Sequence, residues 1–393
     1  MQEPTKLIHA GRAPFENNGI LNPPIYNAST ILFPTYEAFM GRGAQANPRM
    51  RYGRGGTPTM LAAEQALCAL ECADHCRVVP SGLAAVSLVL LSFAQAGQHI
   101  LVADNCYEPT RLLGNGLFKR LGIEFRYFDP LIGGDIDRLL SDDTALVFME
   151  SPGSLSFELT DIPAIVKACK ARNIPTAIDN TWSAGIYLKP LTMGVDVSLQ
   201  AATKYISGSS DLMMGMVVFN EGAFSDQIIK CWAALGAVPA PDVMFGVMRG
   251  LRSLPVRLDY HQKAGLEIAN WLESHPLVKQ VIHPALPSHP QHQLWKRDFS
   301  GASGLFSIML DAKDDAKDQA GLARMLDGMR YFKMGFSWGG YESLITPYTL
   351  NDHNRSHLHA PASGQCLRLH IGQEGIEDLK QDLQDGLDRY HQG

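Results

Sequence analysis

The sequence predicts an α/β protein: a large domain built on a mostly parallel sheet, followed by a smaller C-terminal α+β domain. Three observations predict it. Short apolar runs at 77–79, 99–102, 124–128, 145–149, 175–178, 195–199 and 215–219 alternate with helical stretches at 83–95, 111–121 and 162–172, the pattern of buried parallel strands joined by crossover helices. Beyond a long helical stretch over 244–272, interrupted near Pro255, the order changes to strand-like runs at 305–310 and 366–370 with fewer helices, which suits an α+β unit. The length of 393 residues exceeds one simple core and fits two domains of about 100–200 residues each.

The elements follow in order. The first sixty residues are punctuated by Asn22-Pro23-Pro24, Asn47-Pro48 and Gly53-Arg54-Gly55-Gly56, so they cannot hold long helices and read as an extended arm over 1–56. Pro58 onward opens a helix that Thr57 or Thr59 is placed to cap. The large domain is assigned to 57–250 and the small one to 251–393.

Composition excludes several classes. A net charge of −6 leaves no basic surface for nucleic acid. The most apolar stretch, 83–94, is short of the ~20 residues a membrane helix needs. Met1-Gln2-Glu3-Pro4 lacks the basic start and apolar run of an export signal. The cysteine count of 7 is odd, against a complete disulfide framework; a cytoplasmic location is expected. Cys68, Cys72 and Cys76 fall at helical spacing and read as small buried side chains rather than metal ligands. His353, His357 and His359, between Pro347 and Pro361, read as a solvated surface loop. No metal is expected.

Chemistry in a parallel α/β sheet collects at the carboxyl ends of the strands. After the run ending at Val79 comes Pro80-Ser81-Gly82-Leu83, leading straight into a helix, whose free N–H groups and dipole suit a phosphate. After Ile178 comes Asp179, a capping residue or a functional carboxylate. After Leu199 comes Gln200-Ala201-Ala202-Thr203-Lys204; the lysine either snorkels to solvent or, desolvated, becomes a nucleophile able to form a Schiff base. Together the three match pyridoxal 5′-phosphate: an imine at Lys204, a carboxylate at Asp179 for the ring nitrogen, a phosphate at the helix start with the Thr203 hydroxyl as an extra donor.

Further motifs stand in a characteristic order: Tyr52-Gly53-Arg54, Gly56-Thr57-Pro58-Thr59, Pro80-Ser81-Gly82, Tyr107-Glu108-Pro109, Glu150-Ser151-Pro152-Gly153, Asp179-Asn180-Thr181-Trp182, Ala202-Thr203-Lys204-Tyr205, Gly250-Leu251-Arg252 and Arg368-Leu369-His370-Ile371-Gly372. Over essentially its whole length the chain resembles the cystathionine-metabolising family of pyridoxal-phosphate enzymes. Within that family Phe336-Ser337-Trp338-Gly339-Gly340 is similar to the bacterial β-lyase branch, since the γ-acting members usually carry a glutamate and a leucine at the positions of Phe336 and Trp338.

The resemblance implies an aspartate-aminotransferase-like fold (fold type I) and a set of roles. Lys204 resembles the cofactor lysine, Asp179 the partner of the pyridine nitrogen, and Tyr107 the tyrosine stacked on the cofactor. Ser81, Gly82, Leu83 and Thr203 match the phosphate site. Tyr52 and Arg54 resemble arm residues that reach a neighbouring subunit's phosphate, which implies a dimer or tetramer with shared active sites. Arg368 resembles the arginine that grips the substrate α-carboxylate, with Ser337 and Trp338 lining that pocket. Lys204 is the base expected at Cα, with Tyr107 a second candidate through a lowered pKa. The implied reaction is β-elimination from the sulfur amino acid L-cystathionine to homocysteine, pyruvate and ammonia. A γ-lyase acting on cystathionine or methionine, a γ-synthase, and a binding protein that keeps the fold without catalysis remain as alternatives. One departure stands out: where β-lyases carry an acidic residue for the distal amino group, this chain reads Thr110-Arg111-Leu112-Leu113.

Overall fold

The apolar runs become β1 (His75–Val79), β2 (His99–Ala103), β3 (Glu124–Phe128), β4 (Thr144–Glu150), β5 (Thr176–Asp179), β6 (Val197–Ala201) and β7 (Gly215–Phe219). They lie in the order β1-β7-β6-β5-β4-β2-β3 in one sheet. Strands β2 to β6 pair in parallel, whereas β7 is antiparallel to both neighbours, β1 and β6. The computed structural model describes residues 2–41, 49–311, 315–350, 355–357, 359 and 365–391.

Strand alternation splits the apolar residues between two cores. Ile100, Val102, Leu146 and Phe148 enter one; Leu101, Ala103, Val147 and Met149 enter the other. This is why the strands read as continuous apolar runs: both faces are covered. Among the described residues of the arm the helices are short: α1 (Glu3–His9), a 3-10 turn over Pro14–Asn17 and α2 (Tyr36–Met40). The helix α3 (Pro58–Glu71) is capped by Thr57, whose hydroxyl accepts from Met60 N at 3.3 Å. Then come α4 (Gly82–Phe93), α5 (Glu108–Leu113), α6 (Ile162–Ala171), α7 (Ser225–Leu235) and α8 (Pro241–Glu273). The helix expected over 111–121 starts earlier, at Glu108, and passes into a π turn over Gly114–Phe118.

A second, antiparallel sheet follows the order β10-β11-β9-β8, from β8 (Val278–Ile282), β9 (Leu305–Leu310), β10 (Leu344–Tyr348) and β11 (Gln365–His370). The helices α9 (His292–Asp298), α10 (Asp315–Asp327) and α11 (Ile376–His391) complete this half. Its core joins Ile308, Leu310, Leu367 and Leu369 to Leu379, Leu383 and Leu387 of α11.

Three expectations need correction. α8 runs unbroken through Pro255, because apolar residues on both sides of it, Met244 to Leu258 and Ala264 to Leu272, are held in packed cores. Cys68, Cys72 and Cys76 do not share a helical face. Cys72 is exposed and ends α3 in a left-handed conformation (φ 57°), and Cys76 lies buried in β1. The polar stretch around the histidines is not simply solvated: Arg355 is buried, and the Ser356 and His357 N–H groups donate to Asp104 at 2.7 and 2.6 Å. His353 lies outside the described residues.

Among the described residues no helix is long and apolar enough to cross a membrane. The two halves meet at Trp182, which is 5% exposed and donates its ring N–H to the Leu305 carbonyl at 2.9 Å. Trp182→Phe is expected to cost about 1–3 kcal/mol by stranding that carbonyl. Trp182→Ala is expected to cost about 3–5 kcal/mol by opening a cavity as well. Urea midpoints at constant slope measure both; an alanine variant within about 0.5 kcal/mol of the parent contradicts the assignment.

Candidate active site

The site forms at the carboxyl edge of the large sheet. There β1 turns through Pro80 into α4, and Ser81 caps the helix with its hydroxyl accepting from Ala84 N at 3.1 Å. The N–H groups of Gly82 and Leu83 are first-turn donors, which have no acceptor within a helix. A Cβ built on Gly82 would sit 2.6 Å from the Ala201 Cβ. Only glycine lets the helix start come so close to the end of β6, three residues ahead of Lys204. Thr203 lies in the same turn, but its hydroxyl accepts from Met214 N at 3.0 Å and reaches Met214 O at 3.3 Å. That hydroxyl is engaged within its own loop.

Asp179 ends β5, and Lys204 follows the end of the neighbouring strand β6 by three residues. Lys204 Nζ donates to Ser337 Oγ at 2.9 Å and lies 5.2 Å from the Trp338 ring centroid. Burial, then the Arg368 charge, lowers its pKa to about 8, against the opposing pull of Asp179. At pH 7 about a tenth of such lysines are free amines, against roughly one in 2,500 at the ordinary value. Asp179 accepts from Thr181 N at 3.0 Å and Thr181 Oγ1 at 2.5 Å. Burial raises its pKa, and Thr181 and Lys204 oppose that rise.

Arg368 sits in β11 between Leu367 and Leu369, both fully buried on the opposite face. One terminal nitrogen donates to the Gly335, Phe336 and Ser337 carbonyls and the Thr346 hydroxyl at 3.0–3.3 Å. Its Nε is buried without a partner. A carboxylate is the ligand that such an orphaned guanidinium donor lacks. The same segment is pressed onto the lysine. Gly339 has φ +88°, and a Cβ there would lie 2.9 Å from the Lys204 carbonyl carbon and 2.8 Å from Tyr205 N. His370 Nε2 contacts both Gly339 N and Gly340 O at 3.1 Å, pinning the turn.

Tyr107 precedes α5 and its N–H donates to Glu150 Oε2 at 2.7 Å. Its hydroxyl is not acidified as expected. Burial, then Glu150 and Asp179, raise its pKa, and the pull of Arg368 does not reverse them. Lys204 is therefore the better base of the two. Tyr52 and Arg54 lie elsewhere in the chain: Tyr52 OH accepts from Ser29 Oγ at 3.1 Å, and Arg54 donates to Ala233 O at 2.7 Å. Arg111 takes no part in the pocket either; it pairs with Asp104 and stacks at 3.7 Å over Tyr127.

Glu150 was not singled out by sequence, although the strand-end logic that picked Asp179 applies to it equally: it closes β4 beside Asp179.

A carboxyl and a lysine of lowered pKa beside adjacent strand ends, with free helix donors next to them, fit a phosphorylated pyridine aldehyde. This combination on this fold defines the class of pyridoxal-phosphate enzymes. The family described as Cys/Met metabolism PLP-dependent enzyme matches residues 4–388, and the chain belongs to that family. It is 41% identical to the cystathionine β-lyase MetC of Escherichia coli, over 98% of each chain. It is 38% identical to an L-alanine/L-glutamate racemase of Wolbachia pipientis, over 99% of this chain and 98% of the other. The structure of a cystathionine γ-synthase from Xanthomonas oryzae in complex with aminoacrylate and cysteine superposes with TM-score 0.89 at 31% identity, covering 99% of this chain and 98% of that one.

Two outcomes test this geometry. Capture of pyridoxal phosphate by Lys204 in the apo-protein is expected to quicken as pH rises through about 8, because only the free amine attacks; borohydride trapping and peptide mass follow it, and a midpoint above 10 contradicts the assignment. Gly82→Ala is expected to weaken cofactor affinity at least tenfold, since the 2.6 Å contact is with a side chain that cannot swing away. Gly134→Ala, where nothing lies within 4 Å, serves as the control.

Proposed function

We propose that this chain is a cystathionine β-lyase, converting L-cystathionine and one water to homocysteine, pyruvate and ammonia. Several curated relatives bear that name, which supports the reading. The observation that carries the choice of β- over γ-cleavage is the neighbourhood of the Lys204 amine: the Ser337 hydroxyl and the Trp338 ring. γ-Elimination needs a second proton removed at Cβ and so more acid–base groups; β-elimination needs only the first, at Cα.

Pyridoxal phosphate, when bound, supplies an electron sink conjugated to the substrate α-nitrogen. Gly82 and Leu83 N–H groups with Ser81 hold its phosphate, joined by Thr203 if that hydroxyl turns from Met214. Asp179 would hold the proton on the pyridine nitrogen, and Tyr107 would help to hold the cofactor ring. Arg368 binds the substrate α-carboxylate through its unpartnered Nε and so orients the Cα–H bond. Lys204 takes the Cα proton as a free amine and is placed to return one to the departing sulfur. Ser337 holds the amine in line and Trp338 walls the pocket.

Residues 57–250 thus hold the cofactor, 251–393 grip the substrate, and 1–56 reach a second subunit. Phe15, Leu32 and Tyr36 of the arm are 95%, 86% and 79% exposed, which supports burial against another copy. Tyr52 and Arg54 then complete a neighbour's phosphate site in a dimer or in a tetramer of two such dimers. A cytoplasmic setting fits the free thiols.

The stretch Thr110-Arg111-Leu112-Leu113 offers the distal amino group no carboxylate, and Arg111 is committed to Asp104. Cystine and other cysteine S-conjugates are expected as slower substrates, but within about tenfold of cystathionine, because the site lacks the exposed ion pair, worth about 1 kcal/mol, that would add to the preference. Product analysis decides the main reading: pyruvate with homocysteine is expected. 2-Oxobutyrate with cysteine would establish γ-cleavage instead, and loss of optical activity from alanine without pyruvate would favour racemisation.

A further inference from the structure

The last residues of β4 and β5, Glu150 and Asp179, are register partners on parallel neighbours, so both side chains leave one face of the sheet at its carboxyl edge. Glu150 is bonded at both oxygens: Oε2 accepts the Tyr107 N–H at 2.7 Å and Oε1 the Ser154 hydroxyl at 2.8 Å. Tyr107 stands at the entry to the short α5, so this bond sets where the chain turns and where the ring is presented. The reaction described above gives Glu150 no task. It rests on the edge of the cofactor site nonetheless.

We propose that Glu150 is a positioning residue of the cofactor site, fixing the Tyr107 backbone and leaving Asp179 as the ionised member of the carboxyl pair. Two carboxyls side by side away from water do not both ionise cheaply. Burial, then Asp179, raises the pKa of Glu150. Asp179 receives two donors from Thr181 and faces Lys204, so the negative charge settles there and the proton on Glu150. The remaining groups around Glu150 are the Tyr107 and Ser154 donors, Arg355, and the Cys106 thiol, itself pushed up to about 12. A protonated Glu150 accepts from Tyr107 through its carbonyl oxygen and keeps an O–H on the face it shares with Asp179. The inference rests on the cofactor site and not on which sulfur amino acid is cleaved.

The test is titration of apo-protein with pyridoxal phosphate, read by tryptophan quenching and the visible band of the lysine-bound cofactor. Glu150→Gln keeps a carbonyl for Tyr107 N–H and a donor for Asp179, and its Kd is expected within threefold of the parent. Glu150→Asp withdraws the carboxyl by one methylene and is expected to weaken binding at least fivefold; Glu150→Ala at least tenfold. An alanine variant with parental affinity and band overturns the positioning role. A glutamine variant as weak as the alanine one overturns the neutral state, since it would show that charge is needed. Should Glu150→Ala fail to fold by circular dichroism, equal affinities of the Gln and Asp variants overturn the proposal. A γ-cleavage product pattern would leave all these readings untouched, so the two claims fail separately.

Discussion

The rest of the site depends on one constraint: an amine held largely out of water between an arginine and an aspartate. A buried ammonium is costly unless paired, and Lys204 has both an opposing neighbour in Arg368 and a favourable one in Asp179. Burial and Arg368 together outweigh Asp179, so the amine sheds its proton near neutrality. The Ser337 hydroxyl gives the amine a partner in either protonation state, because a hydroxyl both donates and accepts. Placing that hydroxyl requires the 337–340 turn to lie on the lysine's own backbone, which the left-handed Gly339 permits. The nucleophile is thus tuned by residues more than 130 positions away in sequence.

That dependence explains why the two halves must be fixed relative to each other. The large sheet provides the strand ends, but Arg368, Ser337 and Trp338 come from the second half. Trp182, immediately beyond the Asp179-Asn180-Thr181 edge, bonds to the first residue of β9. Asp104, at the end of β2, takes the N–H groups of Ser356 and His357 on its carboxylate, while Arg355 donates to its carbonyl. Both ties start at the carboxyl edge of the sheet, so the halves are joined beside the chemistry rather than remote from it.

Much of this was legible in the sequence because it is local. Buried strands are continuous apolar runs, and Asp179 and Lys204, which follow two of them closely, are placed by the strands that precede them. What escaped depends on partners distant in sequence. Glu150 acquires its place from the register with β5 and from the Tyr107 backbone, neither of which its own motif encodes. The acidity expected of Tyr107 fails because burial, then the Glu150 and Asp179 carboxyl groups of two other strands, raise its pKa. Cys72 looks helical by spacing, yet it is the residue that ends the helix. Pro255 should interrupt α8 by its missing N–H and its ring clash, but packing along the whole helix outweighs that cost of about 3 kcal/mol.

The surroundings of the lysine also restrict which charges can change near neutral pH. Tyr205, Trp338, His261 and His370 pack as a ring cluster behind it, with centroids 5.1–5.8 Å apart. Two histidines so close to a reactive amine would ordinarily add positive charge as pH falls. Here desolvation drives the His261 pKa down to about 4 and His370 well below its usual value. His261 spends Nδ1 on the Ile371 carbonyl, and His370 is committed to the Gly339–Gly340 turn. Both rings stay neutral across the range in which Lys204 titrates. Among the groups packed around the amine, protonation near neutrality therefore falls to Lys204 and the Glu150–Asp179 pair, and Arg368 remains a fixed cation for an arriving carboxylate. Replacing either histidine with a permanently charged side chain would further depress Lys204 and place a competing cation behind the pocket, so the neutrality of the cluster is a condition for Arg368 to read the substrate.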